Sequence, residues 1–252
     1  MMAVAVQKQE PVYQMDVTGA FLHGHIKETV YMRLPNNKIC KLRKSIYGLK
    51  KSPRYWNIKF NDFITKEKVE RSKNDPCLYI KKEGNNFMYV LYFVDNLLYF
   101  ANDKTQLKLF KNALCENFKI NDLGLASNYL GINIKQDLNK CITVINQKKY
   151  LQKLLDKYQM SDCKSVSTPI EQNFNFDLLT RDKPESAEIK KTCRAFNGSL
   201  LYTCNTRPDL SVAVSFLSRC LHCASKALFQ CLKRILRYIK GTIDLSLTYM
   251  LN

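Results

Sequence analysis

The segment 88–100 constrains the fold of this chain more than any other. Two apolar, β-rich runs, 88–92 and 97–100, flank the tetrapeptide Phe93-Val94-Asp95-Asn96. Two such runs joined through an Asp-Asn pair are typical of a tight hairpin, and the Asp side chain then lies at its tip. The sequence therefore predicts a β-hairpin that presents a carboxylate at one end.

A second carboxylate, Asp16, follows another short apolar stretch, 12–15. Acidic side chains at strand ends that are far apart in sequence are what a two-metal phosphoryl-transfer site requires. Asn96 occupies the position where such a site would need a third acid. An ordinary turn also favours Asp95-Asn96, so the residues alone leave both interpretations open.

The remaining hydrophobic patterns predict an α+β fold. We expect a split βαβ antiparallel sheet with helices on one face, followed by a polar connector and a mainly helical region. The predicted helices of the first part are 50–69, 104–118 and 147–158, and its further strands are 77–81, 129–135 and 141–145. The predicted helices of the helical region are 196–204, 208–220 and 226–240.

The net charge is the unusual feature of the composition. The 252 residues include 40 Lys and Arg against 22 Asp and Glu, a formal charge of +18. Such a field favours a polyanion, either nucleic acid or an anionic membrane, over a merely solvated basic surface. No apolar run approaches the ~20 residues that span a bilayer, and the N-terminus lacks the basic start of a signal peptide. We therefore expect an intracellular protein, in cytoplasm or nucleus, with a nucleic-acid rather than a membrane partner; protein partners stay undetermined.

The ten cysteines are scattered and do not form a disulfide pattern, so reduced thiols are expected. Cys220 and Cys223 have the C-x2-C spacing of a zinc site. The surrounding pattern is helical and a second tight pair is missing, which favours thiols that face a core.

Several blocks of the sequence occur in the order typical of one family. The chain resembles the reverse transcriptase (RNA-directed DNA polymerase) of copia-type LTR retrotransposon Pol polyproteins, over nearly its whole length. The blocks include Met15-Asp16-Val17-x-x-Ala20-Phe21-Leu22-x-Gly24, Ser45-Ile46-Tyr47-Gly48-Leu49-Lys50-x-x-Pro53-Arg54-x-Trp56, Phe93-Val94-Asp95-Asn96, Tyr129-Leu130-Gly131-Ile132 and Thr206-Arg207-Pro208-Asp209.

The resemblance implies a role for each matching residue. Asp16 and Asp95 would be the catalytic carboxylates that bind two Mg²⁺ ions, and Asn96 would be a degenerate catalytic position. Phe21 would stack against the sugar of the incoming nucleotide. The other implied roles are substrate binding for Tyr47, Gly48 and Lys50, and the primer grip for Leu130 and Gly131.

The resemblance also implies the domain organisation. Residues 1–160 would be a polymerase palm with partial, truncated fingers, 161–192 a connector, and 193–252 a helical thumb or connection segment leading toward a missing RNase H domain. The partners would be an RNA or DNA template-primer and deoxynucleoside triphosphates.

The sequence departs from the family at Asn96, whose amide cannot contribute a negative charge to a divalent cation. We therefore expect weakened Mg²⁺ binding. Together with the truncated fingers and the missing RNase H domain that the resemblance implies, this leads us to expect a truncated copy that is weakly active or inactive, so whether the chain is an enzyme is left open. The alternatives are a non-catalytic nucleic-acid-binding remnant of a retrotransposon and an open reading frame with no selected function.

Overall fold

The computed structural model describes residues 1–172, 174, 179 and 186–251. Helices and antiparallel sheets alternate along the first part, and helices dominate the last part. The helices are α1 Met2–Gln7, α2 Ser52–Lys66, α3 Lys104–Asn117, α4 Lys148–Lys157, α5 Ala187–Thr203, α6 Ser211–Arg219 and α7 Lys226–Gly241. The strands are β1 Tyr13–Val17, β2 Tyr31–Arg33, β3 Ile39–Lys41, β4 Glu70–Arg71, β5 Leu78–Glu83, β6 Asn86–Phe93, β7 Asn96–Ala101, β8 Ile120–Leu125, β9 Asn128–Tyr129, β10 Ile132–Asp137, β11 Ile142–Asn146 and β12 Leu247–Tyr249.

The chain divides into two compact units. The first comprises residues 1–130, 136–143 and 249–252, and the second comprises 131–135 and 144–248. The sequence grouped 144–160 with the first part, but α4 buries Leu151, Leu154 and Leu155 in the core of the second unit. The apolar stripe of this helix therefore determines where it belongs.

A six-stranded sheet of order β4-β5-β6-β7-β1-β8 organises the first unit. Its neighbouring strands are antiparallel throughout. Helices α2 and α3 pack on one face of it, where Trp56, Phe60 and Phe110 join a continuous core with Met15 and Val90. The predicted antiparallel sheet with helices on one face is thus present. A two-stranded sheet β2-β3 and a four-stranded sheet β12-β11-β10-β9 complete the strands.

The hairpin predicted at 88–100 forms as β6 and β7, in which Phe93 pairs with Asn96. Val94 and Asp95 are the only residues between the two strands. Val94 has a positive φ of 57° and Asp95 does not have one, and a positive φ at only the first of two turn residues is the mark of a type II′ hairpin turn. The carboxylate of Asp95 therefore sits at the tip, as the sequence indicates.

The second unit is built from α4 to α7 around one hydrophobic core. Its helix α5 begins at Ala187, because the Ser186 side chain accepts a hydrogen bond from the Ile189 N–H and caps the first turn. The helix thus starts inside the predicted 161–192 connector. Much of the rest of that connector lies outside the described residues. In the described part of the chain, every helix is too short or too polar to cross a lipid bilayer.

Candidate functional site

Three polar residues form a row across β7, β1 and β8, the last three strands of the six-stranded sheet. Asp16 of β1 lies directly opposite Asn96 of β7 on one side and opposite Asn121 of β8 on the other. Side chains of directly paired residues share a face of the sheet. Their neighbours Met15 and Val17 face the α2 and α3 side, so the row lies on the opposite face, away from the helices.

Asp95 adds a second carboxylate beside this row. Asn96 Nδ2 donates a hydrogen bond to Asp95 Oδ1 over 3.0 Å, and the Val17 amide donates to the Asp95 carbonyl over 2.7 Å. The backbone at Val94 is strained, because a β-branched residue rarely adopts a positive φ, at a typical cost of about 1–3 kcal/mol. The surrounding contacts hold the strained turn, and with it the carboxylate, next to β1.

The two carboxylates influence each other electrostatically. Partial burial raises the pKa of Asp16 above its usual value, and the negative charge of Asp95 raises it further. A hydrogen bond from Asn121 opposes both effects. A cation between Asp16 and Asp95 would relieve the repulsion that raises this pKa.

The donor set fits one divalent cation better than two. Carboxylate and amide oxygens are hard ligands of the kind that Mg²⁺ prefers, and Asp16, Asp95 and the Asn96 carbonyl oxygen could supply them. Within the described ranges, no three or more His, Cys, Asp or Glu side chains are grouped closely enough to hold a metal. A two-ion centre here would have only the two negative charges of Asp16 and Asp95. A third carboxylate at position 96 would raise that number to three.

Phe21 and Tyr47 lie together, although 26 positions separate them in the sequence. Phe21 is in a 3-10 turn, Ala20–His23, and its ring centroid is 4.9 Å from that of Tyr47. Tyr47 remains 53% exposed. Gly48 follows with a φ of +94° and open space around it, and the Lys50 side chain is exposed. The structure thus brings Phe21 and Tyr47 together, with Gly48 next to Tyr47 in the chain and Lys50 two residues further on.

This surface is fixed by tight packing beneath it. The Ser45 hydroxyl donates to the Phe21 carbonyl, and the Ser45 amide donates to the Gly24 carbonyl over 2.9 Å. A Cβ at Gly24 would lie 2.8 Å from the Tyr55 Cβ, which is closer than atoms can pack. Only glycine therefore allows the segment after Phe21 to lie against α2.

Leu130 and Gly131, the predicted primer grip, both have positive φ values, 49° and 81°. A Cβ at Gly131 would lie only 2.8 Å from the Tyr202 hydroxyl oxygen. The division between the two units falls between these residues. Their role in gripping a primer stays a prediction.

Two residues that position the candidate site were not singled out by sequence reasoning. The Trp56 indole N–H of α2 donates to the Val94 carbonyl over 2.6 Å and so holds the turn. Asn121 lies on β8, which the hydrophobic pattern did not predict. The family block that ends at Trp56 was the available signal for that residue, but a block does not state what its residues contact.

Comparison with known proteins decides the family. A family profile described as "Reverse transcriptase (RNA-dependent DNA polymerase)" matches residues 1–172. The chain belongs to the reverse transcriptase family. This match covers the whole row of Asp16, Asn96 and Asn121 together with Asp95.

The relatives of this reverse transcriptase chain include copia-type Pol polyproteins. It is 34% identical over 257 residues to the retrovirus-related Pol polyprotein from transposon TNT 1-94 of Nicotiana tabacum, covering 96% of this chain and 19% of the relative. It is also 34% identical over 250 residues to the retrovirus-related Pol polyprotein from transposon RE1 of Arabidopsis thaliana, covering 96% of this chain and 17% of the relative. The chain therefore spans less than a fifth of the length of these polyproteins.

Proposed function

We propose that the first unit of this reverse transcriptase chain is a polymerase palm that binds an RNA or DNA primer–template, and that Asn96 leaves it with little or no nucleotidyl transfer. In this proposal the palm and part of the fingers end before α4, rather than at residue 160, because the buried leucines of α4 pack in the second unit. Residues 161–192 connect, and 193–252 act as a thumb or connection segment. Asp16 and Asp95 are the metal-binding carboxylates, and Phe21, Tyr47, Gly48 and Lys50 contact the substrate.

The pairing of Asn96 directly opposite Asp16 carries the proposal. Phosphoryl transfer depends on positive charge held beside the transferring group, and a bound divalent cation supplies it. Asp16 and Asp95 would hold that charge, but Asn96 is neutral and its N–H group already donates to Asp95. This hydrogen bond reduces the negative potential at the carboxylate that the cation would need.

The aromatic pair supports the substrate roles. Phe21 is partly buried against Tyr47, so its ring is held rigidly and could pack against a sugar. Gly48 leaves the backbone open beside it, which allows a base pair to approach the main chain closely. The exposed Lys50 ammonium could neutralise a phosphate.

A second candidate function is nucleic-acid binding without chemistry. The hydrogen bond from Asn96 to Asp95 favours it, and the charge of +18 and the absence of any Asp or Glu between residues 29 and 61 support the binding that both functions share. Both functions require phosphate contacts, so both predict binding that weakens steeply as salt rises. They differ only in turnover.

Primer extension tests the proposal. The purified chain should elongate oligo(dT) on poly(rA) weakly or not at all with either Mg²⁺ or Mn²⁺. Asp95→Asn is the matched control, because it removes a proposed metal ligand: any residual extension by the wild type should disappear in it. Robust elongation by the wild type would overturn the account of Asn96.

A further inference from the structure

The β2-β3 hairpin presents an exposed face of mixed aromatic, apolar and basic character. Its register pairs Tyr31 with Lys41 and Arg33 with Ile39. Paired residues, and residues two apart on one strand, share a face, so these four side chains form a single surface, the ribbon face. All four are exposed, Tyr31 by 65% and Ile39 by 67%. The alternate pair, Met32 and Cys40, is partly buried.

The segment that carries the ribbon face is rich in basic residues. The segment 29–61 contains no acidic residue. It holds nine basic ones, Arg33, Lys38, Lys41, Arg43, Lys44, Lys50, Lys51, Arg54 and Lys59. Lys51 is neutralised by Glu28, just outside the segment. The other cations leave a field that attracts a polyanion.

The ribbon is continuous with the surface that carries Phe21 and Tyr47. The Leu42 amide donates to the Val30 carbonyl over 2.9 Å and extends the ladder beyond β2 and β3. Further along, His25 forms an antiparallel bridge with Lys44. The next residue, Ser45, is bonded to the turn that carries Phe21. A strand of nucleic acid that leaves the Phe21–Tyr47 pair could therefore follow the same backbone onto the ribbon face.

We propose that the ribbon face binds the unpaired, single-stranded part of a template, with a base stacked on Tyr31 and phosphates contacting Arg33 and Lys41. An aromatic ring within a basic track is how proteins bind single strands without sequence preference. Paired bases inside a duplex offer no free ring face for Tyr31, which favours a single strand. A second copy of the chain is disfavoured, because two such faces would oppose Arg33 and Lys41 to each other. This inference rests on the proposed nucleic-acid function.

Binding measured by fluorescence anisotropy tests the inference with two labelled probes. One is a blunt RNA–DNA duplex, and the other is the same duplex with an RNA overhang of about ten nucleotides, within the usual range of single-strand sites. The wild type should bind the overhang probe more tightly than the blunt one. Tyr31→Ala should weaken overhang binding by about 5- to 10-fold, in the range measured for lost base stacking, and leave blunt binding unchanged.

Three further variants separate stacking, charge and general effects. Tyr31→Phe keeps the ring and should bind like the wild type. The double variant Arg33→Ala/Lys41→Ala removes two phosphate contacts to a single strand. The slope of the logarithm of overhang affinity against the logarithm of salt concentration should therefore become less steep by about 1.4. Leu109→Ala/Lys108→Ala, a change at an exposed apolar and basic pair on α3, is the control and should change neither.

The outcomes distinguish the two proposals. If Tyr31→Ala and the wild type bind the overhang probe with equal affinity, the ribbon-face inference is overturned. Binding of the blunt duplex in the same experiment would still support the proposed function. Failure of the wild type to bind either probe at low salt would overturn both. If Tyr31→Ala instead abolished self-association in sedimentation velocity and left nucleic-acid binding intact, the face would be an interface between copies, and the inference would be wrong.

Discussion

At the scale of single residues, the candidate centre depends on what stands opposite Asp16. An amide at Asn96 fits the strand pairing and the turn as well as a carboxylate would, so the fold alone does not require an acid there. The difference lies in charge, because Asn96 can offer an oxygen to a cation but cannot offset its charge. The consequences of this residue should appear in electrostatics rather than in folding.

Substitutions at Asp16 and at Asp122 should change Tm in opposite directions, which tests the electrostatic argument. The pKa of Asp16 is raised by burial and by Asp95, so in metal-free protein this group contributes stability that is lost as pH rises through its folded-state pKa. The pKa of Asp122 is lowered, chiefly by its hydrogen bond from Lys111, so its contribution is present at neutral pH and lost as pH falls. In metal-free buffer at pH 7, Asp16→Asn should therefore raise Tm and Asp122→Asn should lower it.

The expected shifts are small, about 1–3 °C each, because both side chains are partly solvated. Differential scanning fluorimetry with a chelator present would measure them. Both differences should shrink as pH falls below the ordinary Asp pKa of about 4. A lower Tm for Asp16→Asn at pH 7 would contradict the electrostatic account of the site.

Asn96→Asp tests the metal-binding side of the same argument. The variant adds a third carboxylate to Asp16 and Asp95, so it should bind Mn²⁺ more tightly than the wild type, by about tenfold for 1.4 kcal/mol of added attraction. Titration followed by electron paramagnetic resonance of free Mn²⁺ would give both affinities. Asp62→Asn, which changes an exposed acid on α2, is the control for nonspecific binding. Equal Mn²⁺ affinities for wild type and Asn96→Asp would show that position 96 does not contact the ion.

At the scale of elements, close packing rather than charge fixes the aromatic surface. Gly24 lies against Ser45 and Tyr55 with no space for a methyl group. Gly24→Ala should destabilise the first unit by about 1–3 kcal/mol, the usual cost of overpacking. Urea denaturation followed by fluorescence of Trp56, the single tryptophan of the chain, would measure it. Gly84→Ala should cost less, since its strain comes from a φ of +61° with open space around it; similar losses for the two would contradict the packing argument.

A partly buried ion pair lies between α5 and α6 of the second unit and contacts the end of α7. The Arg207 side chain is only 2% exposed and is paired with Asp209 over 2.7 Å, and it also donates to the Thr242 carbonyl over 3.0 Å. Asp209→Ala would leave this guanidinium buried without its counter-charge and should destabilise by about 3 kcal/mol. Asp244→Ala, which removes the exposed pair with Lys148, should cost less than about 1 kcal/mol. Chemical denaturation of both variants would compare them, and equal losses would show that burial of Arg207 does not matter.

The elements differ in how well the sequence predicts them. The β6-β7 hairpin and helices α2 and α3 were predicted because their apolar residues repeat with the period of the structure. Strand β8 was missed because Ile120–Leu125 has no such alternation and contains Asp122 and Gly124. It forms through hydrogen bonds to β1, with an irregular register at Gln14 and Met15. Helix α5 begins earlier than expected because one side chain, Ser186, caps it within a polar segment.

The sequence likewise predicted some residues of the candidate site and missed others. Asp16 and Asp95 stood out as carboxylates at strand ends, and the family resemblance named Phe21 and Tyr47. The contacts of Trp56 and Asn121 depend on which strands and helices meet, and that information is in the tertiary structure. A single sequence contains the residue types but not their distances.

At the scale of the whole molecule, the account separates binding from chemistry. In the proposed function, the charge of +18 would attract nucleic acid through many dispersed side chains, so no single substitution should abolish binding. In the proposed function, catalysis would instead depend on a few groups at the β6-β7 turn and the facing strand. A molecule built this way should retain its affinity for primer–template after losing turnover.

Single-turnover extension on a preformed complex tests this separation most directly. A labelled primer–template is saturated with excess protein, with saturation verified by anisotropy in the same sample, and deoxynucleoside triphosphates and Mg²⁺ are then added. The account predicts that the primer is bound and remains largely unextended. Rapid extension of most of the bound primer by the wild-type chain would contradict the central claim that Asn96 disables the centre.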